Sequence, residues 1–380
     1  TSNNGSTGLV GQPNANEGIV VPYVITADGL LEQSTNIEPT DYTGVLDSFG
    51  WSVASGNQYH LVGAPDTNNG KGACFVYYRD STGSFDSLQL LAPSDLSNND
   101  LFGYSVSISD DDKWAFVGAP GGNKVYTYAL DELTLADQQV TTVTGNGSTT
   151  AFNLVAPLTT NTAYVTDQND KILIPNKDYT ISSRTINFTT APADTLKMII
   201  RKKSRYIQLS TLTGSTSATG DAFGKSMDCN IDGTDIVVGA PTADVLYSGV
   251  TYTDAGEAFG FSQVVEKFTA DGTTKSVTTT ATHGNKIFVT VDGVYQTFTN
   301  NDDAAPTLNT DGSSTNFYTT SGKTITFKYT PALGSIIKVF TGNYVEFQRF
   351  GQDLVTGQAP TDKENFGQSV AIDTYGSMIV

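Results

Sequence analysis

Side chains able to do chemistry are sparse in this chain. There are two histidines, His60 and His283, and two cysteines, Cys74 and Cys229. A nucleophilic triad needs a base beside the nucleophile and a third group to orient that base. Neither histidine lies near a cysteine or a G-x-S-x-G turn, so no such triad is expected. Paired carboxylates could hydrolyse a glycoside, yet nothing marks one pair among the 39 acidic residues. Asp110, Asp111 and Asp112 read as an acidic turn. GNGST, from Gly145, precedes no helical pattern and reads as a turn rather than a phosphate cradle. The basic run Arg201, Lys202, Lys203 and Arg205 reads as a solvated strand, with docking of an acidic neighbour as its functional alternative. No catalytic residue is expected.

The 380 residues carry a formal net charge of −18, and only 16% are charged. Such a surface repels nucleic-acid phosphates. No apolar run approaches the length of a membrane span. Neither a nucleic-acid partner nor membrane insertion is expected. No signal peptide is visible, and an opening Thr1 suggests a processed chain or an excised fragment. The cysteines occupy no equivalent places, which leaves their disulfide state open. Abundant Thr, Ser, Asn and Gly suit short strands and turns better than long helices.

The elements that must position any site follow from a repeated phrase. FGWSVASGNQYHLVGAP runs from Phe49-Gly50 to Gly63-Ala64-Pro65. It recurs from Phe102-Gly103 to Gly118-Ala119-Pro120, and from Phe223-Gly224 to Gly239-Ala240-Pro241. A fourth copy opens at Phe366-Gly367 and reaches Val380 where Gly-Ala-Pro would be due. Each unit reads as four strands of period two. Strand one follows Phe-Gly and strand two precedes Gly-Ala-Pro. Strand three carries aromatics (Phe75, Tyr77; Tyr126, Tyr128; Phe259, Phe261) and strand four leads to the next Phe-Gly. Those aromatics, with Trp51 and Trp114, are expected to fill the space between units.

The first two Phe-Gly pairs lie about one four-stranded blade apart, and the later spacings more than double. The excess falls between strands three and four. Residues 1–18 read as a linker or arm and 19–138 as the first blades. An inserted β-sandwich follows at 139–203, a blade at 204–263, a second inserted β-sandwich at 264–341, and a truncated blade at 342–380. The insertions share a plan: a Thr-rich opening strand, TINF or TITF, a Pro turn and a closing apolar strand.

The Phe-Gly…Gly-Ala-Pro phrase resembles the FG-GAP repeat of β-propellers, best known from the integrin α-subunit head. The resemblance implies an all-β fold, a partial propeller of four-stranded blades with two β-sandwich insertions. Three whole units and a fragment are fewer than usually close a propeller, so the ring is expected to close in a longer chain. Integrin-type repeats often carry a calcium loop, D-x-[DN]-x-D-G-x-x-D. Its nearest match here is Asp228, Asn230, Asp232, Gly233 and Asp235, with the last carboxylate one residue early. Calcium takes six to eight oxygens, and this loop offers four side chains; calcium is the single cofactor the resemblance suggests.

TGNGSTTAFNL, KDYTISSRTINFTTAPAD and VDGVYQ, from Thr144, Lys177 and Val291, resemble β-modules of tailed-bacteriophage virion proteins, especially those of marine cyanobacteria. Together the resemblances imply a non-enzymatic structural protein of a phage tail fibre, neck or baseplate appendage. Its partners would be other virion proteins, copies of itself, and a host-surface glycan or protein. The alternative is an integrin-like, calcium-stabilised adhesin at a cell surface or in the extracellular space. A polysaccharide-degrading propeller enzyme is a third class.

Overall fold

The computed structural model describes residues 7–14, 18–26, 29–32, 36–39, 47–79, 85–131, 139–159, 163–168, 173, 178–202, 205–280, 288–292, 294–298, 317–321, 323–327, 329–351, 360–373 and 377–380. The chain forms two compact units, Thr1–Asn123 with Leu130–Tyr206, and Lys124–Ala129 with Ile207–Val380. Both are built mostly from antiparallel strand pairs, with one parallel pair in the second unit. Thr67–Gly70 is no regular helix, because Asn68 and Asn69 there have positive φ.

In the first unit, β1 (Thr7–Gln12), β2 (Ile19–Thr26) and β3 (Gly29–Glu32) form one sheet in that order. Thr7–Gln12 is thus a paired strand within the segment whose composition suggested an arm. Next comes a four-stranded meander of β4 (Ser52–Ser55), β5 (Tyr59–Ala64), β6 (Ala73–Arg79) and β7 (Phe85–Leu91). β8 (Ser105–Ile108) pairs with β9 (Trp114–Ala119). Strands β5 and β9 are buried along their whole length, so the period-two alternation expected of every strand fails for these two, both of whose faces are covered.

After β10 (Lys124–Asp131) the first unit holds the first inserted module. β11 (Gln139–Thr144), β13 (Ala163–Asp167) and β15 (Lys197–Lys202) make a sheet ordered β11-β15-β13. β12 (Ala151–Thr159) pairs with β14 (Tyr179–Phe188). Val143, Leu154, Val165, Ile186, Phe188 and Ile200 come from both sheets and share one core.

In the second unit β10 pairs with β16 (Arg205–Leu212), where the Thr127 and Ser210 hydroxyls meet at 2.7 Å. β17 (Ser226–Cys229) and β18 (Asp235–Ala240) open the third Phe-Gly blade. A small hairpin follows, β19 (Val245–Tyr247) with β20 (Val250–Tyr252). β21 (Glu257–Thr269) then pairs with β28 (Ile336–Phe350), strands of thirteen and fifteen residues. The blade half of this pair ends at a register shift between Gln263 and Val265; beyond it the same strands continue into the second module.

That module adds β22 (Ser276–Thr278), β23 (Phe288–Val291), β24 (Val294–Tyr295), β25 (Thr297–Phe298), β26 (Phe317–Ser321) and β27 (Thr324–Phe327). One sheet runs β21-β28-β23-β24 and the other β22-β27-β26-β25. Val289, Ile325, Phe327, Ile337 and Val339 form its core. The fourth Phe-Gly leads into β29 (Ala371–Ile372) and β30 (Met378–Ile379), a two-stranded pair.

The two modules superimpose in hydrogen-bond logic. Gly145 N–H donates to Leu196 O, as Ala270 N–H donates to Ser335 O. Thr195 bonds back to Gly145 as Gly334 does to Ala270, and Phe188 donates to Thr150 as Phe327 does to Lys275. The opening turns match as well. Asn146 Oδ1 accepts the amides of Ser148 and Thr149 at 3.0 and 2.7 Å. Asp271 Oδ1 accepts those of Thr273 and Thr274 at 2.8 and 2.6 Å. Hydrogen bonds from Thr274 and Thr273 hold the Asp271 carboxyl well below the usual carboxylate range.

Candidate functional site

The Phe-Gly and Gly-Ala-Pro residues meet at the seams between successive blades. Within a blade, Gly50 N–H donates to Gly63 O at 3.0 Å, Gly103 N–H to Gly118 O at 3.0 Å and Gly224 N–H to Gly239 O at 3.1 Å. The Phe-Gly carbonyl, by contrast, serves the preceding blade. Ser52 Oγ donates to Gly103 O at 2.7 Å, and Ser226 Oγ donates to Gly367 O at 2.8 Å. Gly63 lies so close that a Cβ there would stand 1.9 Å from Gly103 O; Gly239 has the same relation to Gly367 O. Only glycine fits such an approach.

A second strip of each seam is pure backbone. Leu101 and Phe102 donate to Gly70 and Lys71 between the first two Phe-Gly blades, as Asn365 and Phe366 donate to Asp254 and Ala255 between the last two. Gly72, at φ 87°, and Gly256, at φ 86°, bridge to Phe102 and Phe366. Phe49, Phe102 and Phe223 are fully buried, as are Ala64, Ala119 and Ala240, and Pro65, Pro120, Pro241 and Gly118 are buried with them. Phe366 is half-buried. The aromatics of strand three pack edge-on under the phenylalanine of their own blade: Phe49 meets Phe75 at 5.3 Å and Tyr77 at 6.2 Å, and Phe223 meets Phe259 and Phe261 at 5.4 and 5.9 Å. Trp114 is buried, whereas Trp51 is 44% exposed and leans on Tyr104 of the next blade.

The same geometry reveals a unit the repeat pattern passed over. A Cβ on Gly11 would stand 1.8 Å from Gly50 O, and Gly18 crowds Phe49 O as Gly72 crowds Phe102 O. Leu9-Val10-Gly11-Gln12-Pro13 is therefore a further Gly-Ala-Pro equivalent, with Gln12 in the alanine place. β1, β2 and β3 stand as strands two, three and four of a blade. The signal was LVGQP beside LVGAP, and no Phe-Gly precedes it in the sequence.

Two carboxylates tie blades together. Asp112, 5% exposed and at φ 63°, accepts the amides of Asn57 (2.7 Å), Gln58 (2.9 Å) and Tyr59 (3.4 Å) from the previous blade's hairpin. Its carbonyl accepts Tyr206 Oη at 2.6 Å. Burial pushes the Asp112 carboxyl up to about 6, against the opposing pull of those amides. Asp228 Oδ2 accepts Ile372 N–H of the next blade at 3.1 Å. The sequence offered Asp112 as a plain acidic turn, because its partners lie far back in the chain.

The residues matched to a calcium loop are engaged with protein donors. Asp228 Oδ1 accepts Cys229 N–H, Asp232 Oδ1 accepts the amide and hydroxyl of Thr234, and Asp235 Oδ1 accepts Ser262 Oγ. Asn230 bonds Asp235 in both directions. Asp228, Asp232 and Asp235 do not gather into a metal-holding group, and among the described residues no three His, Cys, Asp or Glu do.

His60 is fully buried against Phe85, and among the described residues neither ring nitrogen has a hydrogen-bond partner. Burial, with the Arg79 charge adding to it, brings the imidazole down to about 4. Neither cysteine is in a disulfide; Cys74 is buried, which pushes its thiol up. His283 and Lys203 lie outside the described residues. Arg201 and Lys202 end β15, and Arg205 opens β16.

The FG-GAP repeat matches residues 86–128, a stretch containing Phe102-Gly103 and Gly118-Ala119-Pro120. Comparison with curated proteins returned no match. Among solved structures, a periplasmic gluconolactonase of Pseudomonas aeruginosa is similar at 13% identity and a TM-score of 0.29. The match covers 69% of this chain and 66% of that one; a likeness so loose carries no functional argument. The chain is an all-β protein that carries an FG-GAP repeat, and its antiparallel sheets are consistent with a partial propeller of four-stranded blades.

Proposed function

We propose that this chain is a non-enzymatic structural protein of a bacteriophage virion, in a tail fibre, neck or baseplate appendage, working in assembly and in adhesion to the host surface. One observation supports the reading: two sandwich-like modules that share corresponding backbone hydrogen bonds at their opening and closing turns lie between strands three and four of two blades. Repeating a module on one scaffold multiplies weak contacts into avidity without new chemistry at any one of them. In the second module β21 and β28 continue from blade to insertion across a register shift, so a load on the module passes into paired strands. Partners of this reading are neighbouring virion proteins, copies of the chain itself, and a glycan or protein of the host surface. Among the described residues no helix is long and apolar enough to cross a membrane.

The test is competition. Purified protein preincubated with host cells is expected to lower the adsorption rate of the phage whose genome encodes it. Unchanged adsorption at saturating protein would contradict the adhesive role.

A further inference from the structure

The two modules share a backbone but differ at one outer turn. In the first, the Pro turn presents Thr190 and Asp194, both exposed. In the second, the matching positions hold Tyr329, 41% exposed, and Leu333, 80% exposed. The turn needs neither apolar side chain, since the backbone bonds Leu196 N–H to Ala193 O and Ser335 N–H to Ala332 O are the same in both. Beside this turn the second module contains a cavity of about 150 Å³, lined by Val291, Gln296, Phe327, Tyr329, Thr330 and Pro331.

We propose that this cavity is a binding site for one neutral pyranose ring, the terminal sugar of a surface glycan. This rests on the adhesive reading above and gives it a ligand class. A cavity of this volume admits a six-membered ring. Phe327, Val291 and Pro331 offer apolar surface for the C–H face of a sugar, and Tyr329 adds an aromatic wall. Gln296, Thr330 and Tyr329 supply the few donors and acceptors that orient hydroxyls in such pockets. Among the described residues the lining holds no carboxylate, ammonium or guanidinium. An anionic sugar would meet no counter-charge from these described lining residues, and the chain's net charge of −18 repels it. The first module has Asp167 and Thr190 in place of Val291 and Tyr329.

Saturation-transfer NMR on the full chain tests this with methyl α-D-glucopyranoside, methyl α-D-mannopyranoside, methyl β-D-galactopyranoside and sodium glucuronate. Transfer to at least one neutral glycoside is expected, and none to glucuronate. Tyr329→Ala, at an exposed position that leaves the core intact, should weaken that binding about tenfold or more. Gln296→Met should do the same, and Thr190→Ala in the first module should change nothing. No transfer to any neutral glycoside, equal transfer to glucuronate, or binding untouched by Tyr329→Ala would overturn the proposal. Adsorption competition separates the two readings. If Tyr329→Ala protein still competes while sugar binding is absent, the site fails and the adhesive role stands. If the native protein binds sugar but never competes, the adhesive role fails and the site stands.

Discussion

The blade seams and the module turns are both internal repeats, yet they repeat different things. At the seams the side chains themselves recur: Phe-Gly, a serine two residues on, and Gly-Ala-Pro. At the module turns the backbone bonds recur while exposed side chains change, Thr190 and Asp194 against Tyr329 and Leu333. The cause is spatial. A seam brings two backbones within contact of one carbonyl, so any added atom collides. A turn at the outer end of a sandwich faces water, where most substitutions cost little. The seam is scaffold, and the turn is where a surface can diverge.

The sharpest way to break that contrast is to add one methyl group at a seam. Gly63→Ala would place Cβ against Gly103 O, and a loss of about 3 kcal/mol is expected in urea unfolding. Asp112→Ala removes the acceptor of three amides from the neighbouring hairpin. Its expected cost is about 2 kcal/mol by the same measurement. Ser52→Ala deletes one hydroxyl bond to Gly103 O, at about 1 kcal/mol. Thr190→Tyr, which gives the first module the second module's residue, should stay within about 0.5 kcal/mol of the native chain. If Thr190→Tyr destabilised the chain more than Ser52→Ala, the division into scaffold and free surface would fail.

pH offers a further probe, because two buried groups in the first unit oppose each other. Asp112 has its folded value raised to about 6. Its contribution is present below the ordinary carboxylate range and is lost as pH rises through 6. His60 is depressed to about 4. Its contribution is present above the ordinary imidazole value and is lost as pH falls towards 4. The two partly cancel between about pH 4 and 6. In thermal melts across that range, His60→Leu should leave a chain that gains stability on acidification. Asp112→Asn should leave one that loses it more steeply than the native protein.

The blades were legible because the seam demands the same residues each time. Phe49, Phe102, Phe223 and Phe366 mark it, and the excess length between them marked the insertions. The N-terminal blade was hidden because Gln12 replaces the alanine and no Phe-Gly precedes Gly11. Gly72 and Gly256 looked like ordinary loop glycines, since their need for positive φ comes from the next blade. In the sequence Asp112 reads as a turn residue and Asp228 as a calcium-loop residue, because what they bind is set by tertiary contact rather than spacing. The sugar-sized cavity depends on two sheets closing around Gln296 and Phe327, and no short motif announces it.

The measurement that bears most directly on the whole account is quantitative mass spectrometry of purified particles of the encoding phage. The account predicts peptides from both the blades and the two modules, in a fixed ratio to known tail proteins and retained through density-gradient purification. Their absence from intact particles, with the protein found only in the lysate, would contradict it.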